Sequence, residues 1–253
     1  MNAPHQVEIT KNGTTTCLAT EGKFCDRNIA VNVNIDEMPI REAGIALGKE
    51  YGKTEAHDTF WDAFQAKGNR TDYEKAFYGQ WWTGDNYNPK YIPAPVNAAY
   101  MYQKSNATGH LEVDTSKCTN MIAMFSEAKQ VASIGTIDTR LCTSLASLFG
   151  YMDNLISIRK VILKNDGTQT FTDGSFWASR LKDIVIEGTI GNSLNIRICN
   201  SLSKDSLASF VDALSDNTSG KALTVSPTAK ARFTDEEWAS LIARKPNWTI
   251  SLP

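Results

Sequence analysis

Long apolar runs are missing from this chain. No stretch comes near the roughly 18 uninterrupted apolar residues of a membrane-spanning helix, so no membrane insertion is expected. Histidine is scarce: His5, His57 and His110 are the only three, and none stands at a metal-ligand or hydrolase spacing. The G-x-S-x-G elbow, the P-loop and H-E-x-x-H are all absent. Charge of one sign is lacking too. Lys and Arg number 26 against 28 Asp and Glu, for a net charge of −2 without a basic run, which argues against a nucleic-acid partner. The five cysteines are odd in number and widely spaced, with no C-x-x-C pair, which argues against a disulfide framework and a zinc site. The opening "MNAPHQVEITKNG" has no basic start followed by an apolar core. No signal peptide is expected, and the product is expected to stay in a cytoplasm or leave it by lysis or assembly.

What is present is a globular composition, 42% apolar and 21% charged over 253 residues, enough to bury a sizeable core. It also contains a phrase written twice. "CTNMIAMFSEAKQVASI" (Cys118–Ile134) returns as "CTSLASLFGYMDNLISI" (Cys142–Ile158), 24 residues later. The same interval links Met121 to Leu145, Met124 to Leu148, Phe125 to Phe149, Val131 to Leu155, and Asp114-Thr115 to Asp138-Thr139. Phe176, Leu181 and Ile184 make a looser third copy, and "LKDIVIEGTI" alternates as a strand does. A period of roughly 20–29 residues is that of leucine-rich solenoids, whose units cannot cover their own apolar side and must stack. The expected fold class is therefore α+β repeat, a short leucine-rich-repeat-type solenoid over residues 103–202 with Met124, Phe125, Leu148 and Phe149 as interior rungs. Cys118 and Cys142, at equivalent points, read as small buried apolar residues.

The flanks differ in texture. Residues 203–253 predict an α/β C-terminal cap. Within it, Ser203 starts an amphipathic helix carrying Leu207, Phe210, Val211 and Leu214, and "KALTVSP" is a strand stopped by Pro227. Thr234 starts a second helix with Trp238, Leu241 and Ile242 on one face, and "NWTISLP" is a last strand. Residues 1–36 predict a small β module, a hairpin plus one strand, with Asn12-Gly13 as a turn and alternation at Ile29, Val31, Val33 and Ile35. Residues 37–102 predict a helical, aromatic-rich N-terminal cap containing Phe60, Trp61, Phe64, Trp81, Trp82, Tyr87 and Tyr91. Capping of the open repeat end explains those rings better than a sugar platform does.

Candidate chemistry dissolves on inspection. His57 beside Asp58 and Glu55 fits a solvated helix start, and Gly188–Ser193 fits a turn. Asp235/Glu236 and Asp212/Asp216 sit where helix ends want charge, and Asp114 and Asp138 are turn formers. No residue is nominated as catalytic, cofactor-binding or metal-ligating, no cofactor is expected, and the chain is expected not to be an enzyme.

"DTSKCTNMIAMF" and "DTRLCTSLASLF" resemble the leucine-rich repeats of the BspA-like type. The opening β segment, together with "WDAFQAKGNRTDYEKAFYGQWW" and the C-terminal segment, is similar to modules of tail- and baseplate-associated proteins of phages and prophages of Gram-positive gut bacteria. The resemblance implies a non-enzymatic virion structural protein, a tail, baseplate or fibre component for assembly or host-surface contact. Its implied partners are other copies of itself, a trimer being the common symmetry of tail appendages, other virion proteins through residues 1–36, and a host-surface glycan or protein. Two further readings stand behind it, a BspA-like bacterial surface adhesin and then a glycan-acting enzyme. The short array favours a compact accessory module over a long adhesive one.

Overall fold

A computed structural model describes the backbone of residues 6–11, 14–19 and 31–34, and residues 73–75, 78, 94–105 and 107–253. Three strands come first. β1 (Gln6–Lys11) pairs antiparallel with β2 (Thr14–Ala19), closing at Lys11↔Thr14, and parallel with β3 (Val31–Asn34). The aromatic residues expected to cap the repeats, from Phe60 to Tyr91, lie outside the described residues, as do His57 and its acidic neighbours.

The core of the described chain is a four-stranded parallel sheet: β4 (Gly109–Leu111), β5 (Val131–Asp138), β6 (Ser157–Ile162) and β7 (Asp183–Glu187), in that order. Each strand pairs with the next one along the chain. Ser133 faces Ser157 and Ile134 faces Ile158, so the β5·β6 register is the 24-residue interval of the repeated phrase. Ile158 faces Ile184 after a longer connection. The inward column Leu111, Ile134, Ile158, Ile184 is buried throughout, as is Ile137, Val161, Ile186 beside it. β-branched residues dominate both columns because a pleated, two-sided environment suits their stiff χ1.

The return segments are helix-free and are themselves laddered. Ala98 donates its N–H to the Asn120 carbonyl, Tyr100 to Ile122, Tyr102 to Met124, and Lys104 to Ser126. Ala123 then donates to Ala146, Phe125 to Leu148 and Glu127 to Gly150. The ladder thus runs upstream of residue 103, and Tyr73 and Lys75 extend it by donating to Asn97 and Ala99. Two positions in each return take left-handed backbone: Tyr100 and Lys104, Ala123 and Glu127, Ser147 and Tyr151. That turn of hand aims four of these N–H groups, those of Tyr100, Lys104, Ala123 and Glu127, along the stack at the next coil's carbonyls.

Between sheet and returns runs a file of rings. Tyr102 lies on Phe125 at 5.7 Å and 8°, Phe125 on Phe149, Phe149 on Phe176 at 5.6 Å, and Phe176 meets Phe210 edge-on at 5.2 Å. Met121 and Leu145, and Met124 and Leu148, fill the space alongside and are fully buried. The coil between Phe149 and Phe176 is longer, and Gln169 stitches it down. Its amide nitrogen donates to the Thr139 and Cys142 carbonyls and to Thr139 Oγ1, while Oε1 accepts from the Lys164 N–H at 2.8 Å. Gly188 makes the turn after β7 at φ 97°, where a methyl group would overlap the Leu163 carbonyl.

At β7 a helix takes the place of a further strand. α1 (Lys204–Asp212), capped by the Ser203 side chain, packs on β7 with Leu207, Phe210 and Val211 buried. Ser206 Oγ accepts the Ile184 N–H at 2.9 Å and Ser209 Oγ accepts the Ile186 N–H at 2.8 Å. Edge amides that would otherwise be bare are satisfied this way. A second parallel sheet follows, β8 (Leu194–Ile196), β9 (Lys221–Val225) and β10 (Trp248–Ser251), with β9 central. Pro227 does not merely stop β9. It opens the short helix α2 (Pro227–Lys230), because its fixed φ suits the first helical position and Ser226 caps it. α3 (Asp235–Ile242) carries a full capping box between Thr234 and Glu237. Of its expected apolar face only Leu241 is fully buried, while Trp238 sits half-buried against Phe233.

Candidate functional site

The strands leave one face of the sheet to solvent. Alternation puts His110 of β4, Ser133 of β5 and Ser157 of β6 in one outward row, and Glu112, Gly135 and Arg159 in the next. Gly135 is the key to the second row. With no side chain there, Glu112 folds its carboxylate flat over β5, where a methyl group at Gly135 would overlap it. The carboxylate reaches Arg159 Nη2 at 2.8 Å and His110 Nε2 at 3.1 Å, and His110 Nδ1 lies 2.8 Å from Ser133 Oγ. Slight burial opposes ionisation of Glu112. The hydrogen bond from His110, the Arg159 charge and the Thr136 backbone N–H outweigh it and hold the carboxyl below its ordinary range.

An acid, an imidazole and a hydroxyl in line have the composition of a nucleophilic relay. The setting does not suit one. His110 and Glu112 are 45% and 49% exposed, on an open strand surface where water competes for every hydrogen bond. The acid is also shared with Arg159, 47 positions along the chain, so the group balances its own charge. It functions as a clamp across three strands. The sequence reading passed over His110 and Glu112. Their signal was the repeat interval carried backwards, which sets His110 opposite Ser133.

The opposite side, made by the return turns, carries a different group. Tyr151 and Trp177 stand in consecutive coils with ring centroids 5.2 Å apart and planes tilted by 38°. Three residues further along each coil, Arg180 Nη1 donates to Asn154 Oδ1 at 2.9 Å, and Asn154 Nδ2 donates to the Lys129 carbonyl at 2.7 Å. Tyr151 is 52% exposed, Trp177 half-buried and Arg180 exposed.

The remaining sequence candidates have structural roles. Asp114 Oδ1 accepts the Ser116 N–H and Asp138 Oδ1 the Arg140 N–H, both turn contacts. The Arg140 guanidinium, 2.6 Å from Asp138, holds that carboxyl low. Asp212 pairs with Arg244, Asp216 with Lys245, and Asp235 with Lys230. Cys118, Cys142 and Cys199 are buried and unlinked. Cys142 Sγ donates to the Cys118 carbonyl, and this neighbour together with burial pushes its thiol up. Burial lifts Cys199 to about 12, so its thiol stays protonated. Among the described residues, no three His, Cys, Asp or Glu side chains cluster to hold a metal ion, and no helix is long and apolar enough to cross a membrane.

Comparison with known proteins returns no match: no family profile, no curated protein and no solved structure corresponds to this chain.

Proposed function

We propose that this chain is a short leucine-rich-repeat-type solenoid of the BspA-like kind, serving without catalysis as a tail-, baseplate- or fibre-associated component of a phage virion. One observation carries the reading of a rigid presenting scaffold. Residues one repeat apart are paired strand to strand and stacked ring on ring, from Tyr102 to Phe176, while the polar groups on the sheet face close on one another. A body of this kind gains stiffness from each added coil and offers long lateral surfaces for contact. The assignment to a virion is supported by the resemblance of the repeated phrases and of the N-terminal segment. In this reading residues 1–36 dock the protein on virion neighbours or on other copies of itself, and the stacked body faces a host surface.

Mass spectrometry of purified particles tests the location, with the chain expected in virions at a fixed stoichiometry. Its recovery only in cell-surface fractions would replace the virion reading by the adhesin one. A chain lacking residues 1–36 is expected to remain folded and to fail to enter particles. Normal incorporation of that truncated chain would remove the docking role.

A further inference from the structure

The rings on the turn side are not required by the fold. The position Tyr151 occupies is held one coil earlier by Glu127 and two coils earlier by Lys104, all three in left-handed backbone. Those two charged side chains pair with each other at 3.6 Å. The architecture accepts a solvated ion pair at this place, yet the next two coils present a tyrosine more than half exposed and a tryptophan beside it. Rings that serve packing in this molecule are fully buried, as Phe125 and Phe149 are.

The polar neighbours are arranged to match. Tyr151 and Asn154 in one coil, Trp177 and Arg180 in the next, share a three-residue spacing, so the ring pair and the amide–guanidinium pair lie on the same run of turns. Asn154 is fixed through its amide nitrogen by the Lys129 carbonyl, and its oxygen steadies Arg180. Among the described residues Arg180 makes no ion pair, in contrast to Arg140, Arg159 and Arg244, each held by a carboxylate. Its charge is uncompensated, and four of its five N–H donors remain available in a planar fork.

We propose that Tyr151, Trp177, Asn154 and Arg180 form a binding site for an acidic glycan. A pyranose ring lies on the Tyr151–Trp177 pair, and its carboxylate is taken by the Arg180 guanidinium. The axial C–H bonds of a sugar face carry partial positive charge and sit well on the negative face of an aromatic ring. A carboxylate accepts a bidentate guanidinium contact that a neutral hydroxyl cannot reproduce. The proposal names the partner for the host-contact role suggested above and in that respect rests on it, but binding is measurable on the purified chain wherever the protein resides.

The test uses the full-length chain on an array of glycans bearing uronic or sialic acids, printed beside their carboxyl-reduced counterparts. Calorimetric titration of the best-bound oligosaccharide follows. At least one acidic glycan is expected to be retained, its reduced counterpart binding about tenfold more weakly. Trp177→Ala is expected to weaken binding about tenfold or more, and Arg180→Gln to erase the preference for acid over reduced sugar with an unchanged melting temperature. No retained glycan, equal binding of acidic and reduced forms by the native chain, or native-like affinity in Trp177→Ala would overturn the proposal. Absence of the protein from virions with binding intact would sink the virion reading and leave this site standing.

Discussion

Phe125 lies flat on Phe149, with ring centroids 5.8 Å apart and planes within 6° of parallel, although 24 residues of chain separate them. Each ring is wholly inside the molecule and has an aromatic neighbour on both sides. Phe149 therefore joins two coils rather than stabilising one.

Removing that ring is expected to be among the most damaging single truncations. Phe149→Ala should lower stability by about 3–5 kcal/mol, the range for a buried phenylalanine whose cavity cannot collapse. Phe149→Asp should prevent folding, since it leaves a charge unpaired in the stack. Urea denaturation followed by circular dichroism measures the first, and soluble expression the second. A loss under 1 kcal/mol for the alanine variant would mean that the coils do not depend on the ring file.

Gly135 has a role its size alone explains. Gly135→Ala is expected to push the Glu112 carboxylate off the sheet and release Arg159, at a cost of up to about 1 kcal/mol because the clamp is half exposed. In a Glu112→Ala background the same substitution should cost almost nothing further. A double-mutant cycle reads the coupling directly.

Acid should loosen the fold through carboxylates held low by their partners. Asp138, hydrogen-bonded and charge-paired with Arg140, and Glu112 both ionise more readily folded than unfolded. Their folded values lie below their unfolded ones, so the stability they contribute is complete above the ordinary carboxylate range of about 4. It is lost as pH falls through the lowered folded values. Denaturation midpoints are expected to be flat from about pH 7 to 5 and to drop below about pH 4. Asp138→Asn should give a shallower drop.

The serine contacts on β7 give a test with residue-level readout. Ser206→Ala leaves the buried Ile184 amide without its acceptor, a loss expected to cost about 1–3 kcal/mol. Hydrogen exchange at Ile184 should accelerate while that at Ile158, whose strand lies inside the sheet, changes only by the global loss. Unchanged protection at Ile184 would show that another acceptor serves it.

The interval that ties Phe125 to Phe149 could be read directly from the letters, because stacked coils repeat both spacing and chemistry. The coil upstream could not. Asn97, Met101 and Tyr102 precede Asn120, Met124 and Phe125 by 23 positions, one short of the downstream interval, and Tyr102 shares only aromatic character with Phe125. The structure shows their common role. Asn97 and Asn120 each accept an N–H two residues on, as Ser144 does with its hydroxyl. The left-handed positions were hidden for another reason. They are held by Tyr, Lys, Ala, Glu and Ser where sequence habit looks for glycine, and the neighbouring coil's carbonyls, not local propensity, favour them. The turn-side group of Tyr151 and Trp177 was invisible because its members come together only through the coil-to-coil register, which a longer third coil shifts from 24 to 26 residues.

Two hydroxyl groups decide where the main sheet ends. Ser206 and Ser209 fill the hydrogen-bonding valence that an incoming strand would use, so β7 cannot seed growth by a neighbouring molecule, and the number of strands is fixed within the chain itself. An array extended by duplicating whole units would have to carry this serine-bearing helix along to its new terminus, or it would polymerise.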